Sequence, residues 1–409
     1  MNIASRPRWL NRNVAAMGVT SLFSDAGHEA ATAVLPGFLA ALGFPPAALG
    51  IIEGIADALS SFVKLGAGWL GDRRGRRWGL AVGGYLMTGA MPAFFVVARS
   101  WPLVLFGRAF GWFGRGIRGP LRDAMLAESV APEARGRAFG FHRAGDTIGA
   151  VLGPVGAVVV LAIAHSNGAD DIGAFATVFW WALIPGLFAA LTFAVFVRDP
   201  GASVRSTGTF LGTIRAFPRA FRTFLTGVGL FGLGDFAPTL LILAATTVLT
   251  PRFGFVEAGA IAGALYVLRN AVYALGSFPI GALSDRTHRP IPLLAGGYLV
   301  GALVAAGVLL AFALNLDEPA YFALLFIGSG LLAATEDTLE GVATAELGGD
   351  GSRATAFGLL ASVNGVGDLV ASAGLGILWT LTSAQLAFGA AATLMFLGAG
   401  FLFASRDRA

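Results

Sequence analysis

Apolar positions in this chain run together in long stretches. They lie near 13–40, 46–70, 78–98, 102–122, 137–164 and 173–196, and again near 223–249, 256–282, 291–314, 319–345, 354–381 and 384–405. Each run meets the roughly 20 apolar residues that a bilayer-crossing helix requires. A membrane β-barrel would instead alternate polar and apolar side chains over segments of about ten residues. The pattern predicts an all-α membrane protein of twelve transmembrane helices. A polar segment separates the sixth run from the seventh. The chain thus divides into a six-helix bundle at 1–197, a central loop at 198–222 and a second six-helix bundle at 223–409.

Composition agrees. Of 409 residues, 56% are apolar and 13% charged, where a water-soluble chain carries about 25% charged. Such a chain has too little polar surface for water, and its partner is the lipid bilayer. The 58 glycines suit helices that pack by close backbone approach, since lipid provides no hydrophobic force between them. With no cysteine, disulfides, thiolate metal sites and cysteine catalysis are excluded. The formal charge of +4 would suggest nucleic acid for a soluble protein; here the arginines matter by where they fall. Arg6, Arg8, Arg12, Arg73, Arg74, Arg76, Arg77, Arg118, Arg122, Arg135, Arg137 and the arginines from Arg198 to Arg222 all fall on one side of the twelve-span arrangement, and Arg99 and Arg252 on the other. The positive-inside rule then places both termini and the central loop in the cytoplasm. The first apolar run contains Asp25, His28 and Glu29 and lacks a small-residue cleavage site, so it reads as a retained helix and not a signal peptide.

The halves repeat. GWLGDRRGRR (68–77) aligns with GALSDRTHRP (281–290), and AESVAPEARGRAFGFHRAGDTIG (127–149) with AELGGDGSRATAFGLLASVNGVG (345–367), Asp146 falling on Asn364. Duplicated six-helix halves are a transporter architecture with the substrate site between them. The 68–77 segment resembles the signature loop between helices 2 and 3 of the major facilitator superfamily (MFS), and 281–290 its second copy. The resemblance implies the MFS fold, two pseudo-symmetric six-helix bundles, and a conformational latch at Gly68, Asp72, Arg73, Gly75, Arg76 and Arg77 with Asp285 and Arg286. Asp72 would pair with Arg76 or with a base on a neighbouring helix. In helix 5, Gly140, Gly149, Gly153 and Pro154 resemble the motif of proton-coupled exporters, with Ala157 and Val158 where its last two glycines would stand. The segments at 21–39, 50–73 and 115–154 resemble a bacterial subgroup that includes nickel- and cobalt-resistance permeases, which implies the bacterial inner membrane.

Charges within the spans are costly and mark a pathway or a pair. Asp25 and Glu29 stand at i, i+4 in helix 1 with His28 between them; Glu53 and Asp57 stand likewise in helix 2, followed by Lys64. Gathered carboxylates can exchange protons near neutral pH or bind a cation; the plainer alternative is internal pairing, such as Asp57 with Lys64. His142, Arg143 and Asp146 open helix 5 as a proton relay or as a salt-bridge network with Arg115, Arg118, Arg122 and Asp123. Arg108 lies deep in helix 4, where the resemblance implies an arginine linked to proton coupling; the family's following Gln-Gly is replaced by Gly111 and Trp112. In the second half, Asp235 corresponds to Asp25, Arg269 is expected to pair with an acid, and Glu336, Asp337 and Glu340 read as a solvated inner end of helix 10.

No P-loop, catalytic metal spacing or nucleophile elbow is present in the sequence, so the chain reads as no enzyme, without cofactor, powered by a proton gradient. The expected function is a monomeric secondary transporter, a proton-coupled antiporter exporting a small solute such as a divalent metal or an organic cation, with no nucleic-acid partner. Its rivals are a proton symporter importing a metabolite and a non-transporting membrane sensor or assembly protein on the same fold.

Overall fold

The structure, a computed structural model, describes residues 9–74, 77–131, 135–199, 217–287, 289–347 and 353–405. Thirteen helices account for nearly all of them: α1 (Arg12–Ala41), α2 (Pro46–Arg74), α3 (Arg77–Val97), α4 (Trp101–Glu128), α5 (Arg135–Ser166), α6 (Asp171–Phe196), α7 (Arg219–Gly232), α8 (Pro238–Phe253), α9 (Phe255–Thr287), α10 (Pro290–Leu314), α11 (Pro319–Leu347), α12 (Arg353–Leu381) and α13 (Ala384–Ser405). Among the described residues nine helices are long and apolar enough to cross a membrane on their own, and α8 is a shorter apolar helix. The strongly amphipathic α4 carries Arg108, Arg115, Arg118 and Arg122, which takes it below that mark although it runs beside α2 and α3.

The seventh span is not the single helix expected at 223–249. It is α7 and α8, broken at 233–237. The reason is local: Gly232 and Gly234 weaken the helix, and Pro238 offers no N–H to the turn before it. The last turn of α7 closes with tight bonds, Gly234 N–H to Phe231 C=O and Asp235 N–H to Gly232 C=O. The Ala237 N–H, which opens α8, donates to the Ser372 hydroxyl of α12 at 3.0 Å. In a bilayer such a break survives only where neighbouring protein satisfies the backbone. Arg219 and Arg222, expected in the central loop, lie in the first turn of α7.

Helix α1 packs against α5 and α6, α3 against α4 and α6, and α2 against α4; in the second half α10 packs on α11 and α13, and α9 on α8 and α11. Small residues permit the closest contacts. A Cβ built on Gly145, Gly149 or Gly153 of α5 would stand 2.2–2.4 Å from the carbonyl oxygens of Gly18, Leu22 and Ala26 on α1. This small-residue row lets two backbones touch. Gly140, expected to share in that packing, faces open space, and Gly145 takes the place in the row. The start of α1 is tied to its neighbours by Asn11, which caps the helix at Val14 N–H and donates to the Ser129 carbonyl, and by Asn13, which bonds Ser129 and the Arg198 backbone.

The halves meet mainly along α2 with α12 and along α5 with α9. At the end away from the termini this contact is backbone on backbone: Gly50 against the Ser372 carbonyl, Gly376 against the Pro46 carbonyl, and the Ala47 N–H donating to the Thr380 hydroxyl. It continues inward as far as Ser61 and Gly365. Beyond that point, on the terminus side, Lys64 and Phe357 line a cavity instead. This conformer is sealed at the far end.

Candidate functional site

Residues 108, 112 and 115 of α4 recur at helical spacing, so one face of α4 presents Arg108, Trp112 and Arg115 to α1 and α2. Arg108, 1% exposed, donates through Nε and Nη2 to Glu53 of α2 at 3.2 and 2.8 Å and through Nη1 to the Thr32 hydroxyl of α1 at 2.9 Å. Its guanidinium lies 3.6 Å over the Trp112 ring. Trp112 Nε1–H donates to Asp57 at 2.5 Å. The pairing of Asp57 with Lys64 weighed from sequence is thus replaced by an indole bond, and Glu53 is the acid that takes a cation.

His28 is buried between acids and a base. Its Nδ1 bonds the Ser24 carbonyl at 3.0 Å, so Nδ1 carries a hydrogen, since a carbonyl only accepts. Nε2 then faces both Arg115 Nη1 at 3.2 Å and Glu29 Oε1 at 3.3 Å. A neutral ring accepts from Arg115; a protonated ring donates to Glu29. Asp25 lies 3.5 Å from His28 Nδ1 and 3.8 Å from Arg118. One turn toward the termini, Ser21 donates to Asp146 and lies 3.1 Å from His142 Nε2, while Asp146 is 3.6 Å from His142 Nδ1 and 3.9 Å from Arg143. The helix 1 and helix 5 candidates therefore form one polar column.

Besides the Ala47–Thr380 bond at the sealed end, polar contacts cross between the halves at three further places among the described residues. Tyr266 of α9 donates to Glu29 at 2.7 Å. Asn270 donates to the Ala150 carbonyl at 3.0 Å. Arg143 donates to the Tyr273 hydroxyl at 2.6 Å and lies 3.7 Å from Asp337, to which Tyr273 also donates. Sequence reading named Glu29 and Arg143 but no tyrosine; a phenol in an apolar helix gives no signal of the charge it will meet across an interface.

In the second half, Asp235 occupies the α7–α8 break. It shares a cavity of about 580 Å³ with Glu336, Asp337 and Glu340 of α11, Asp368 of α12 and Asp57 of α2; Lys64, Arg115 and Arg269 also line it, and Phe236, Leu241, Leu332 and Phe357 supply apolar wall. Six carboxylates thus face three cations. Glu340 is not the solvated end residue expected: it is 3% exposed, takes the Tyr298 hydroxyl and accepts from Asn364 at 2.7 Å, with Tyr298 stacked on Phe231 at 3.6 Å. Arg269 does not take the acid partner expected of it among the described residues; its donors go to Ser329 and to the Asn270 side-chain carbonyl, both at 3.1 Å. No three His, Asp or Glu side chains among the described residues are grouped to hold a metal ion.

Of the residues that the resemblance implies for a latch, Arg77 is buried and donates to both oxygens of Glu128 at 2.9 and 2.7 Å and to Asp199 at 2.9 Å, tying α3 to α4 and to the chain just past α6, all within the first half. Gly68, Asp72 and Arg73 lie on the last turns of α2, and Asp285 and Arg286 at the end of α9, with Arg286 exposed. The side chains of Asp72, Arg73 and Asp285, and Gly75 and Arg76 entirely, lie outside the described residues.

An uncharacterized MFS-type transporter of Methanocaldococcus jannaschii is 28% identical over 381 residues, 92% of this chain and 90% of the relative. A probable 4-methylmuconolactone transporter of Cupriavidus pinatubonensis is 29% identical over 156 residues, 38% of this chain and 35% of the relative. Among solved structures, a bacterial homolog of the human lysosomal transporter Spinster, in an inward-facing and unoccupied conformation, superimposes with a TM-score of 0.76 over 98% of both chains at 16% identity. The nucleoside transporter NupG gives 0.79 over 96% of this chain and 99% of its own at 14% identity. At those identities the likeness speaks for the fold alone. The family model described as Major Facilitator Superfamily matches residues 17–303, well over half of the chain. With thirteen helices arranged as that fold arranges them, the chain belongs to the Major Facilitator Superfamily and is a membrane transporter, not an enzyme.

Proposed function

We propose that this transporter is a proton-coupled antiporter that exports a small organic cation by alternating access. The observation that carries the reading is the charge of the central cavity, six carboxylates against three cations with apolar wall between them. A cation and protons compete for the same carboxylates, so occupancy by one releases the other, and that competition is the basis of exchange. Positive-inside topology turns the terminus side, and with it the cavity, toward the cytoplasm, which suits loading for export. No three acidic or histidine side chains among the described residues are grouped to hold a metal ion, which favours an organic cation over a bare divalent metal. Asp25, Glu29 and Asp57 are the favoured proton carriers. His28 gives the column a means of reading protonation, because its Nε2 changes partner between Arg115 and Glu29.

The test is reconstitution in liposomes holding a pH-sensitive dye under an imposed proton gradient. Addition of an organic cation should dissipate the gradient, and Asp25→Asn should abolish the response while the protein stays folded. Normal exchange by a well-expressed Asp25→Asn protein would remove Asp25 from the pathway. Uptake of labelled metabolites with inward protons, and no cation response, would replace export by symport.

A further inference from the structure

A second cavity, of about 550 Å³, lies among α1, α4, α5 and α9 and shares four lining residues with the first, Lys64, Arg115, Arg269 and Tyr273. Its charge has the opposite sign: six cations face it against four carboxylates. Most of those cations are engaged. Arg122 bonds Asp123 at 2.9 Å, Arg115 bonds His28, and Arg143 bonds Tyr273. Arg118 differs. Its side chain is 3% exposed and stacks over Tyr85 at 4.5 Å, and the nearest carboxylate, Asp25, stands off at 3.8 Å. Its Nε and Nη1 have no hydrogen-bond partner among the described residues. A buried guanidinium with free donors is costly unless an acceptor reaches it. The side chain lines a cavity large enough to admit one; these two nitrogens are closed off from it in this conformer, so the guanidinium must turn to offer them, and the acceptor that suits a guanidinium best is an anionic oxygen.

We propose that Arg118, flanked by Arg115 and Arg122, is the anion subsite of a zwitterionic substrate. A carboxylate or phosphate oxygen of the substrate takes the free Arg118 donors, while its cationic end sits among the α11 and α12 carboxylates of the first cavity. The two cavities are adjacent, with Lys64, Arg115, Arg269 and Tyr273 lining both, so one small molecule that reaches past these side chains would occupy both. The cationic half of this assignment rests on the function proposed above; the anion subsite does not.

The full chain in detergent, titrated at constant ionic strength with inorganic phosphate, choline and phosphocholine while its thermal stability is followed, tests this directly. Phosphocholine should stabilise at a concentration about tenfold or more below that of either part alone, since linked groups bind as one. Arg118→Gln should weaken phosphate and phosphocholine about tenfold or more, the loss of a hydrogen bond to a charged group, and leave choline unchanged. If Arg118→Gln does not fold, Arg122→Gln should weaken the same two probes in the same direction. Equal phosphate binding by wild type and variant, or no phosphate binding by wild type, overturns the subsite even where choline binds. Phosphate binding that depends on Arg118, with phosphocholine no tighter than phosphate, overturns the zwitterion and identifies a free anion. Phosphocholine binding that depends on Arg118, together with an unresponsive proton gradient, upholds the subsite and overturns the antiporter reading.

Discussion

Gly50→Ala should shift this protein out of the conformer described. Gly50 of α2 sits on α12 where the far end is sealed, and a Cβ there would lie 2.1 Å from the Ser372 carbonyl oxygen and 3.2 Å from Gly376 Cα. An ordinary carbon–oxygen contact is about 3.3 Å, so the helices must part by roughly 1.2 Å. Both opposing groups are backbone, so no side chain can rotate aside. Overpacking of this kind costs about 1–3 kcal/mol. The cost falls only on the state in which α2 and α12 touch, so the ratio of far-end-closed to far-end-open molecules should fall about 30-fold for a mid-range cost of about 2 kcal/mol. The chain has no cysteine, which makes spin labelling at chosen sites direct. Ser100 and Thr382 are exposed at the far end in opposite halves, and Ala131 and Glu346 at the terminus end. In Gly50→Ala the Ser100–Thr382 distance should lengthen and the Ala131–Glu346 distance shorten. Gly79→Ala, whose Cβ would meet nothing within 4 Å, should leave both unchanged. Unchanged distances in a folded Gly50→Ala protein would refute the reasoning. A fall in melting temperature without a change in distance would do so too, by showing that the α2–α12 contact belongs to the fold and not to a switch.

Two further outcomes concern pairs. Arg108→Leu strands Glu53 in a site where it is 2% exposed, so it should cost about 3–5 kcal/mol of stability, and the double variant Arg108→Leu/Glu53→Leu should recover most of that; thermal unfolding in detergent measures both, and a double variant as unstable as the single one would show that the arginine's contacts to Thr32 and Trp112 dominate. Tyr266→Phe removes the hydroxyl that joins α9 to Glu29, a bond to a charged group worth about 1.5–3 kcal/mol; the same spin-label pairs should report at least a tenfold loss of the described conformer, and identical distance distributions would mean that the bond is kept or replaced in the other state.

How far the sequence could reach follows from the range over which each feature is encoded. A span is written in some twenty consecutive residues, and an i, i+4 pair such as His142 and Asp146 within a single turn, so both were legible. The α7–α8 break was written as well, in Gly232, Gly234 and Pro238, but an averaged window of apolar residues passed over it. Partnerships across the bundle were not. Arg108 and Glu53 lie 55 residues apart, and Tyr266 and Glu29 lie 237 apart; nothing local to Glu53 says that it, and not Asp57, will meet the arginine. Glu340 misled for the same reason. Its neighbours Glu336 and Asp337 make the stretch look solvated, whereas burial comes from Tyr298 and Asn364 on two other helices. Gly140 and Gly145 show the limit of motif reading: the residue that resembles the exporter pattern faces open space, and the one outside it lies against α1.

These pairings separate acids that looked alike in sequence. Glu53 is bound to Arg108 within its own half, so its charge is spent on holding α2 to α4 and contributes equally to any state in which the half moves as a body. Glu29 is held from the other half by Tyr266 and from its own by His28, so its bond to Tyr266 exists only while α1 and α9 remain close. A ligand, protons included, shifts a conformational equilibrium only by binding one state better than the other. Hydrogen bonds to an ionised carboxylate are roughly twice as strong as those to a neutral one, so a proton on Glu29 weakens the bridge where a proton on Glu53 weakens only a helix pair. On the antiport reading, Glu29 is therefore better placed than Glu53 to convert protonation into movement of the halves, and the Tyr266 hydroxyl is the atom through which it acts.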